Sequence, residues 1–128
     1  MAVLIVRLGS ERQAGEGLRI GTVRLPPRGV PRREYAARNW FDVWYPNLAP
    51  SLQSMKLARQ AADDRDWTIF VRKYRAEMAT PENSRTLDLL AALSRHVGFS
   101  VGCYCEDESR CHRSVLRALL SEKGAMIE

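Results

Sequence analysis

The stretch 97-VGFSVGCYCEDESRCHRSVLRALL-120 decides the fold of this chain, because it changes from the pattern of a strand to that of a helix. From Val97 to Cys105 the apolar side chains occupy every second position, which is the alternation of a β-strand. A polar loop follows, and Ser109 is the expected N-cap of a final helix. A strand, a loop and a helix in this order form the second half of a βα unit, which favours an α/β fold.

The segments before this stretch complete the α/β pattern. Residues 3–8 form a nearly continuous apolar run, as in strands that are buried on both faces. Residues 18–25 alternate as a second strand. Three further helices are expected, each after an N-cap residue: Ser51, Asp66 and Thr80, the last followed by a proline. We therefore expect an α/β fold with a mainly parallel sheet flanked by helices.

Length and composition predict an ordinary globular protein. The chain has 128 residues, 45% of them hydrophobic and 27% charged, so we expect a single domain over residues 1–128. No apolar run approaches the roughly 18 residues that a membrane span requires. The apolar opening meets Arg7 almost at once and lacks the basic region of a signal peptide. These features predict a cytoplasmic protein with no membrane partner.

The charge of the chain is carried mainly by arginine. The formal net charge is +5, and the only lysines are Lys56, Lys73 and Lys123. Arginine forms paired hydrogen bonds with phosphates and carboxylates, so an anionic small molecule is the expected partner. Nucleic acid is the alternative partner, because a charge of this size also suits a phosphate backbone. The oligomeric state is left open by the sequence.

The C-terminal cysteine segment is the first candidate site, because it lies beyond a strand end, where ligands bind in open α/β sheets. If Ser109 caps the last helix, Cys111 falls in its first turn, where free N–H groups and the helix dipole stabilise a thiolate. Arg113 adds positive charge, and His112 is a candidate base. We predict Cys111, His112 and Arg113 as catalytic residues, and Cys105 as a substrate contact.

Other interpretations of the same cysteines stay open. Cys103 is interpreted as a buried apolar residue, because free cysteine is often buried. A redox pair between Cys105 and Cys111 is an alternative, as is a zinc-stabilised domain. However, all possible ligands come from one short segment, and helical neighbours such as Cys111 and His112 point about 100° apart. We therefore predict no bound metal and no cofactor.

The turn 24-RLPPRGVPRR-33 is the second candidate site. Its prolines fix the backbone, and Gly29 permits a positive φ angle. Such a turn at the end of a strand suits a bound phosphate or carboxylate. We predict Arg24, Arg28 and Gly29 as substrate-binding residues, and the alternative is a solvated loop that the prolines only stiffen.

Four motifs together resemble the YeaO-like proteins, which belong to the domain-of-unknown-function family numbered 488. They are RLPPRGV at 24–30, WYPNLAPS at 44–51, FVRKYRAEM at 70–78, and the ending in which Cys103 precedes a Cys-His-Arg-Ser run. The turn departs from the family pattern at Val23, which replaces an acid, and at Pro26, which replaces a tryptophan. The resemblance implies a compact α/β bacterial cytosolic protein, and it implies no particular reaction.

The combined prediction is a small enzyme or ligand-binding protein with an anion-binding arginine turn and a Cys-His-Arg site. Two alternatives are kept. One is a nucleic-acid-associated protein whose cysteines are structural, and the other is a zinc-stabilised domain.

Overall fold

A parallel sheet forms the centre of the molecule, whose computed structural model describes residues 2–128. Within these residues the strands are β1 (Val3–Arg7), β2 (Leu18–Gly21), β3 (Val43–Trp44) and β4 (Phe99–Cys103). Their order across the sheet is β1-β4-β2-β3, and each adjacent pair is parallel. The predicted α/β class with a parallel sheet is confirmed.

Four α-helices lie outside the sheet in the described part of the chain. They are α1 (Leu52–Gln60), α2 (Asp64–Met78), α3 (Pro81–Leu93) and α4 (His112–Glu122). Short 3₁₀ turns lie at Arg32–Glu34, Pro46–Leu48 and Glu108–Arg110. No helix among the described residues is long and apolar enough to cross a membrane.

Two of the predicted helix starts are confirmed. The Ser51 hydroxyl accepts a hydrogen bond from the backbone N–H of Ser54 at the start of α1. Thr80 precedes Pro81, which occupies the first turn of α3. Proline is favoured in the first turn because a backbone N–H at this position would have no acceptor within the helix.

The other two predicted caps are wrong. Helix α2 is capped by Asp63, whose carboxylate accepts from the N–H of Asp66 while Asp66 accepts from the N–H of Ala62. Helix α4 is capped by Cys111 instead of Ser109. The carboxylate of Asp107 binds the N–H and hydroxyl of Ser109, and this interaction starts a separate 3₁₀ turn.

Strands β2 and β4 are shorter than predicted. The sequence pattern extends β4 to Cys105, but the strand ends at Cys103, whose carbonyl accepts from the N–H of Leu8. Its two neighbours end at the same level, at Arg7 and Gly21. Leu8 and Thr22 still donate to carbonyls of β4, and beyond them the chain leaves the sheet.

The main apolar core lies between the sheet and the helices. The predicted stripe of α2 is buried through Phe70, Tyr74 and Met78, and the Tyr74 hydroxyl donates a 2.6 Å hydrogen bond to the carbonyl of Leu48. A second, smaller cluster lies near the carboxyl ends of the strands and contains Leu8, Val23, Phe41, Cys103 and Cys111.

A buried ion pair fixes the loops beside these strand ends. Arg19 is fully buried and donates to the carboxylate of Glu16, which also accepts from the hydroxyl of Ser100 on β4. The same guanidinium donates to the carbonyls of Ser10 and Asn39. Burial alone would raise the pKa of Glu16, but the hydrogen bonds from Arg19 and Ser100 outweigh it and lower the pKa to about 2. The network therefore joins β2, β4 and two loops.

Candidate functional site

A cleft of about 830 Å³ opens at the carboxyl ends of β1, β2 and β4. Parallel strands end at the same edge of a sheet, so the segments that follow them meet there. The lining comes mainly from these three segments: residues 7–10, residues 23–28 and residues 103–105, completed by Trp40, Pro50, Met55 and His112. Both segments that the sequence analysis selected contribute to the same cleft.

Three arginines lie on the cleft, and they differ in their bonding. Arg24 donates to the carbonyls of Ala49 (2.9 Å) and Pro50 (3.1 Å), which leaves part of its guanidinium free. Arg7 donates to the carbonyl of Tyr104 and forms an ion pair with Glu106. Arg28 is exposed and makes no side-chain hydrogen bond or ion pair with any of the described residues. Arg24 and Arg28, which have no acidic partner among the described residues, therefore leave positive charge at the rim of the cleft.

Two residues of the cleft lining, Cys103 and His112, form a group with the buried Cys111 that we call the sulfur–imidazole cluster. One ligand atom of each residue lies within 4.8 Å of the other two. Both cysteines are 2% exposed, and their sulfur atoms are in direct contact. Their Cα atoms are 7.9 Å apart, beyond the roughly 4.4–6.8 Å that is usual for a disulfide bridge.

The sulfur that meets Cys111 belongs to Cys103 and not to Cys105. Cys103 is buried, as its apolar interpretation predicts, but it also lines the cleft. Cys105 is a free, exposed cysteine on the cleft lining. The alternative of a redox pair between Cys105 and Cys111 is therefore not formed in the structure.

The backbone of Cys111 turns its side chain toward that of His112. As an N-cap residue Cys111 is extended, with φ −129° and ψ 151°, so the helical separation of about 100° between neighbours does not apply. Its sulfur lies 3.9 Å from Nδ1 of His112. It also accepts the backbone N–H of Arg113 at 3.5 Å, at the positive end of α4.

The protonation of His112 is set by its surroundings. Its Nε2 lies 2.7 Å from the carbonyl oxygen of Thr22, which only accepts hydrogen bonds, so the ring proton lies on Nε2. Burial lowers the pKa of His112 to about 4, and the charge of Arg113 adds to this effect while the Thr22 carbonyl opposes it. The ring is neutral at pH 7, and Nδ1 presents a lone pair toward Cys111.

Comparison with known families decides where the chain belongs. A family model described as the active DUF488-N3 subclade, DUF488-N3a, matches residues 3–124. The chain belongs to the DUF488 family. The resemblance to YeaO-like proteins is consistent with this assignment. Neither curated proteins nor solved structures give a significant match to the chain.

Besides Cys111, two predicted site residues of the DUF488 chain, Arg113 and Gly29, are not part of the cleft lining. Arg113 is buried and donates a 2.6 Å hydrogen bond to the carbonyl of Cys105, while its Nε has no partner among the described residues. Gly29 has the expected positive φ, 76°, and is exposed beside Arg28. Each therefore shapes a segment that lines the cleft.

Sequence reasoning missed three parts of the DUF488 site. Arg7 directly follows β1 and pairs in register with Cys103, so the strand-end rule was a usable signal for it. Trp40 reaches the cleft from an irregular loop that has no periodic pattern. The Thr22 carbonyl, which binds His112, is a backbone group, so the residue type at this position does not indicate its role.

Proposed function

We propose that this protein is a small enzyme that binds an anionic molecule in the cleft and acts on it with the sulfur–imidazole cluster. One observation carries the proposal: Cys103, Cys111 and His112 lie together, and Cys103 and His112 line a cleft whose rim carries arginines. A neutral imidazole beside a thiol, below a positively charged opening, is an arrangement that thiol-dependent active sites use.

The cluster supplies an electron-rich sulfur. The lone pair of His112 Nδ1 faces the Cys111 thiol and accepts its proton, while the Thr22 carbonyl keeps the ring in the required tautomer. The thiolate that forms is stabilised by the Arg113 N–H and the N-terminus of α4. Cys103 places the second sulfur at the surface of the cleft.

The arginine turn supports the choice of an anionic ligand. Arg28 has no internal partner among the described residues, and Arg24 keeps free donors toward the cleft. Such groups bind phosphate or carboxylate through paired hydrogen bonds. The apolar side chains of Trp40 and Pro27 provide a wall for the organic part of the ligand.

Arg113 and Gly29 have supporting roles in this proposal. Arg113 ties the carbonyl of Cys105 to the start of α4, which holds the loop between Cys103 and Cys111 in place. Gly29 allows the turn that presents Arg28. Cys105 contacts the ligand from the open side of the lining.

The test is a titration of the thiolate ultraviolet absorbance in reduced, metal-free protein, in a Cys105→Ser background so that only the cluster contributes. We expect an absorbance midpoint below the reference thiol pKa of about 8.5. His112→Asn should raise this midpoint, while the matched change His96→Asn, at an exposed histidine, should leave it unchanged. A midpoint at or above the reference value, or one insensitive to His112→Asn, contradicts the proposal.

Nucleic acid remains the second candidate partner, because the exposed Arg28, Arg32 and Arg33 follow one another along the same turn. Binding of a short oligonucleotide that weakens steeply with added salt, together with an ordinary thiol midpoint, would favour this alternative.

A further inference from the structure

We infer that the sulfur–imidazole cluster is a metal centre, in which Cys103, Cys111 and His112 hold a divalent ion of the zinc class with a fourth position open to the cleft. This inference rests on the proposed function, because it uses the same cluster and names the cofactor that the electron-rich sulfurs bind. Thiolates and neutral imidazole are the ligands that such ions prefer.

The spacing of the Cys111 sulfur and the His112 ring suits one shared ion. Tetrahedral zinc, with bonds of about 2.3 Å to sulfur and about 2.0–2.1 Å to nitrogen, places its ligand atoms roughly 3.5–3.8 Å apart. The sulfur of Cys111 and Nδ1 of His112 are 3.9 Å apart, close to this spacing, whereas the sulfurs of Cys103 and Cys111 are in direct contact and have to move apart to admit an ion.

The separation of the Cα atoms of the two cysteines also favours a shared ion. The 7.9 Å between the Cα atoms of Cys103 and Cys111 exceeds the usual reach of a disulfide. An ion between two sulfurs lengthens the connection, because two metal–sulfur bonds span about 3.8 Å where a disulfide bond spans about 2 Å. Cysteines at this separation are therefore better placed to share an ion than to bond directly.

Backbone groups support each ligand. The Nε2–H of His112 donates to the carbonyl of Thr22, which is the second-shell bond that metal-binding histidines commonly make, and it leaves Nδ1 free for the ion. The Cys111 sulfur accepts the N–H of Arg113, and the Cys103 sulfur accepts the N–H of Cys105. Two thiolates and a neutral ring also match the charge of a divalent ion.

The centre has the ligand count of a catalytic site. Among the described residues the group contains three ligands, and two of them, Cys103 and His112, line the cleft. Three protein ligands with an open fourth position are typical of catalytic zinc, whereas structural zinc has four. An ion here polarises a bound water or an anionic ligand that the arginine rim holds. The extended N-cap at Cys111 removes the geometric objection that a helical backbone raises against this ligand set.

The experiment loads the whole chain with cobalt as a spectroscopic probe. The protein is reduced with a phosphine, freed of metal with a chelator, and titrated with Co²⁺. We expect one ion per chain, with a sulfur-to-cobalt charge-transfer band and the intense visible bands of tetrahedral cobalt, and Zn²⁺ should abolish both. The spectrum of the wild-type protein itself reports thiolate ligation, so the test does not depend on variants that fold.

Variants then identify the ligands. Cys103→Ser, Cys111→Ser and His112→Asn should each weaken binding by more than the roughly 10–100-fold that losing a second-shell partner costs. Cys105→Ser, in the loop between the two cysteine ligands, and His96→Asn, at the other histidine, are matched controls. Both variants should bind cobalt as the wild type does. Circular dichroism of each variant confirms that the fold is retained.

Two outcomes would overturn the metal centre: reduced protein that takes up no cobalt, or cobalt binding that survives Cys103→Ser but is lost in Cys105→Ser. Neither outcome touches the proposed function, since the thiolate titration is made on metal-free protein. A lowered midpoint of the thiol titration without metal binding would support the proposed enzyme and contradict the metal centre.

Discussion

Cys111 combines two tasks in one side chain, because its sulfur belongs to the cluster and also caps α4 through the N–H of Arg113. Serine is a preferred N-cap, so the hydroxyl of a serine can take over the structural task but not the chemical one. The two tasks are therefore separable by substitution.

Cys111→Ser should keep the stability of the protein near that of the wild type, whereas Cys111→Ala should be less stable than Cys111→Ser by about 1 kcal/mol, because it loses the cap. Urea unfolding of both variants measures the difference. Equal stabilities would mean that the atom at this position does not cap the helix.

Arg28 is the residue through which the cleft should recognise an anion. Arg28→Ala should weaken the binding of inorganic pyrophosphate several-fold, since it removes a charged donor that has no internal partner among the described residues. Quenching of tryptophan fluorescence follows the binding, because Trp40 lines the cleft.

Arg33→Ala is the matched control, because Arg33 is an exposed arginine of the same turn and is not part of the lining. Equal affinities of the two variants would show that the turn contributes only general charge. Neither change should alter stability, because both side chains are exposed.

At the scale of elements, β2 is packed closely against the loop that carries the aromatic wall of the cleft. A Cβ atom added at Gly21 would collide with the ring of Phe41. Phe41 in turn belongs to the apolar cluster that includes Cys103 and Cys111. The absence of a side chain at Gly21 therefore sets how near the loop approaches the site.

Gly21→Ala should destabilise the protein by about 1–3 kcal/mol, the usual cost of overpacking a core. Combining it with Phe41→Leu should cost less than the two single changes added together, because the smaller side chain removes the collision. Urea unfolding of the three variants completes the cycle, and strict additivity would count against this contact.

The elements that could be predicted are those with a repeating pattern. The stripe of α2 and the proline at the start of α3 gave those helices, because periodicity and a fixed φ are local properties. The cap of α2 could not be chosen, since Asp63, Asp64 and Asp66 are equally suitable residue types. Which aspartate caps α2 depends on the path of the short loop that follows α1.

The candidate site was likewise predictable only in part. Its location was predictable, because strand ends and soft side chains are visible in the sequence. The meeting of Cys103 with Cys111 was not, because it depends on the return of the loop that Arg113 ties to the carbonyl of Cys105. The support of His112 by the Thr22 carbonyl likewise needed the tertiary structure.

At the scale of the whole molecule, the buried Glu16 and Arg19 pair makes stability depend on pH. The pKa of Glu16 is lowered from 4.5 to about 2, so the folded protein resists a proton that the unfolded chain accepts. The stabilisation from this group is complete above pH 4.5 and is lost as the pH falls toward 2. Its size is about 3 kcal/mol, from a shift of this magnitude.

Glu16→Gln should remove this dependence, so the difference in unfolding free energy between wild type and variant should shrink by about 3 kcal/mol from pH 6 to pH 2. Urea unfolding across this range measures the difference. Glu11→Gln, at an exposed position of the same loop, is the control and should parallel the wild type. A constant difference for Glu16→Gln would rule out the proton linkage.

The central place of β4 has a consequence for how the protein is made. β1 pairs with β4, so residues 3–7 have no strand partner on that side until residues 99–103 have been synthesised. Helices α1 to α3 lie between these two strands in the chain. During synthesis on the ribosome, these helices emerge before the strand that completes the sheet. The cleft therefore cannot form until β4 and the segment that carries Cys111 and His112 have been synthesised.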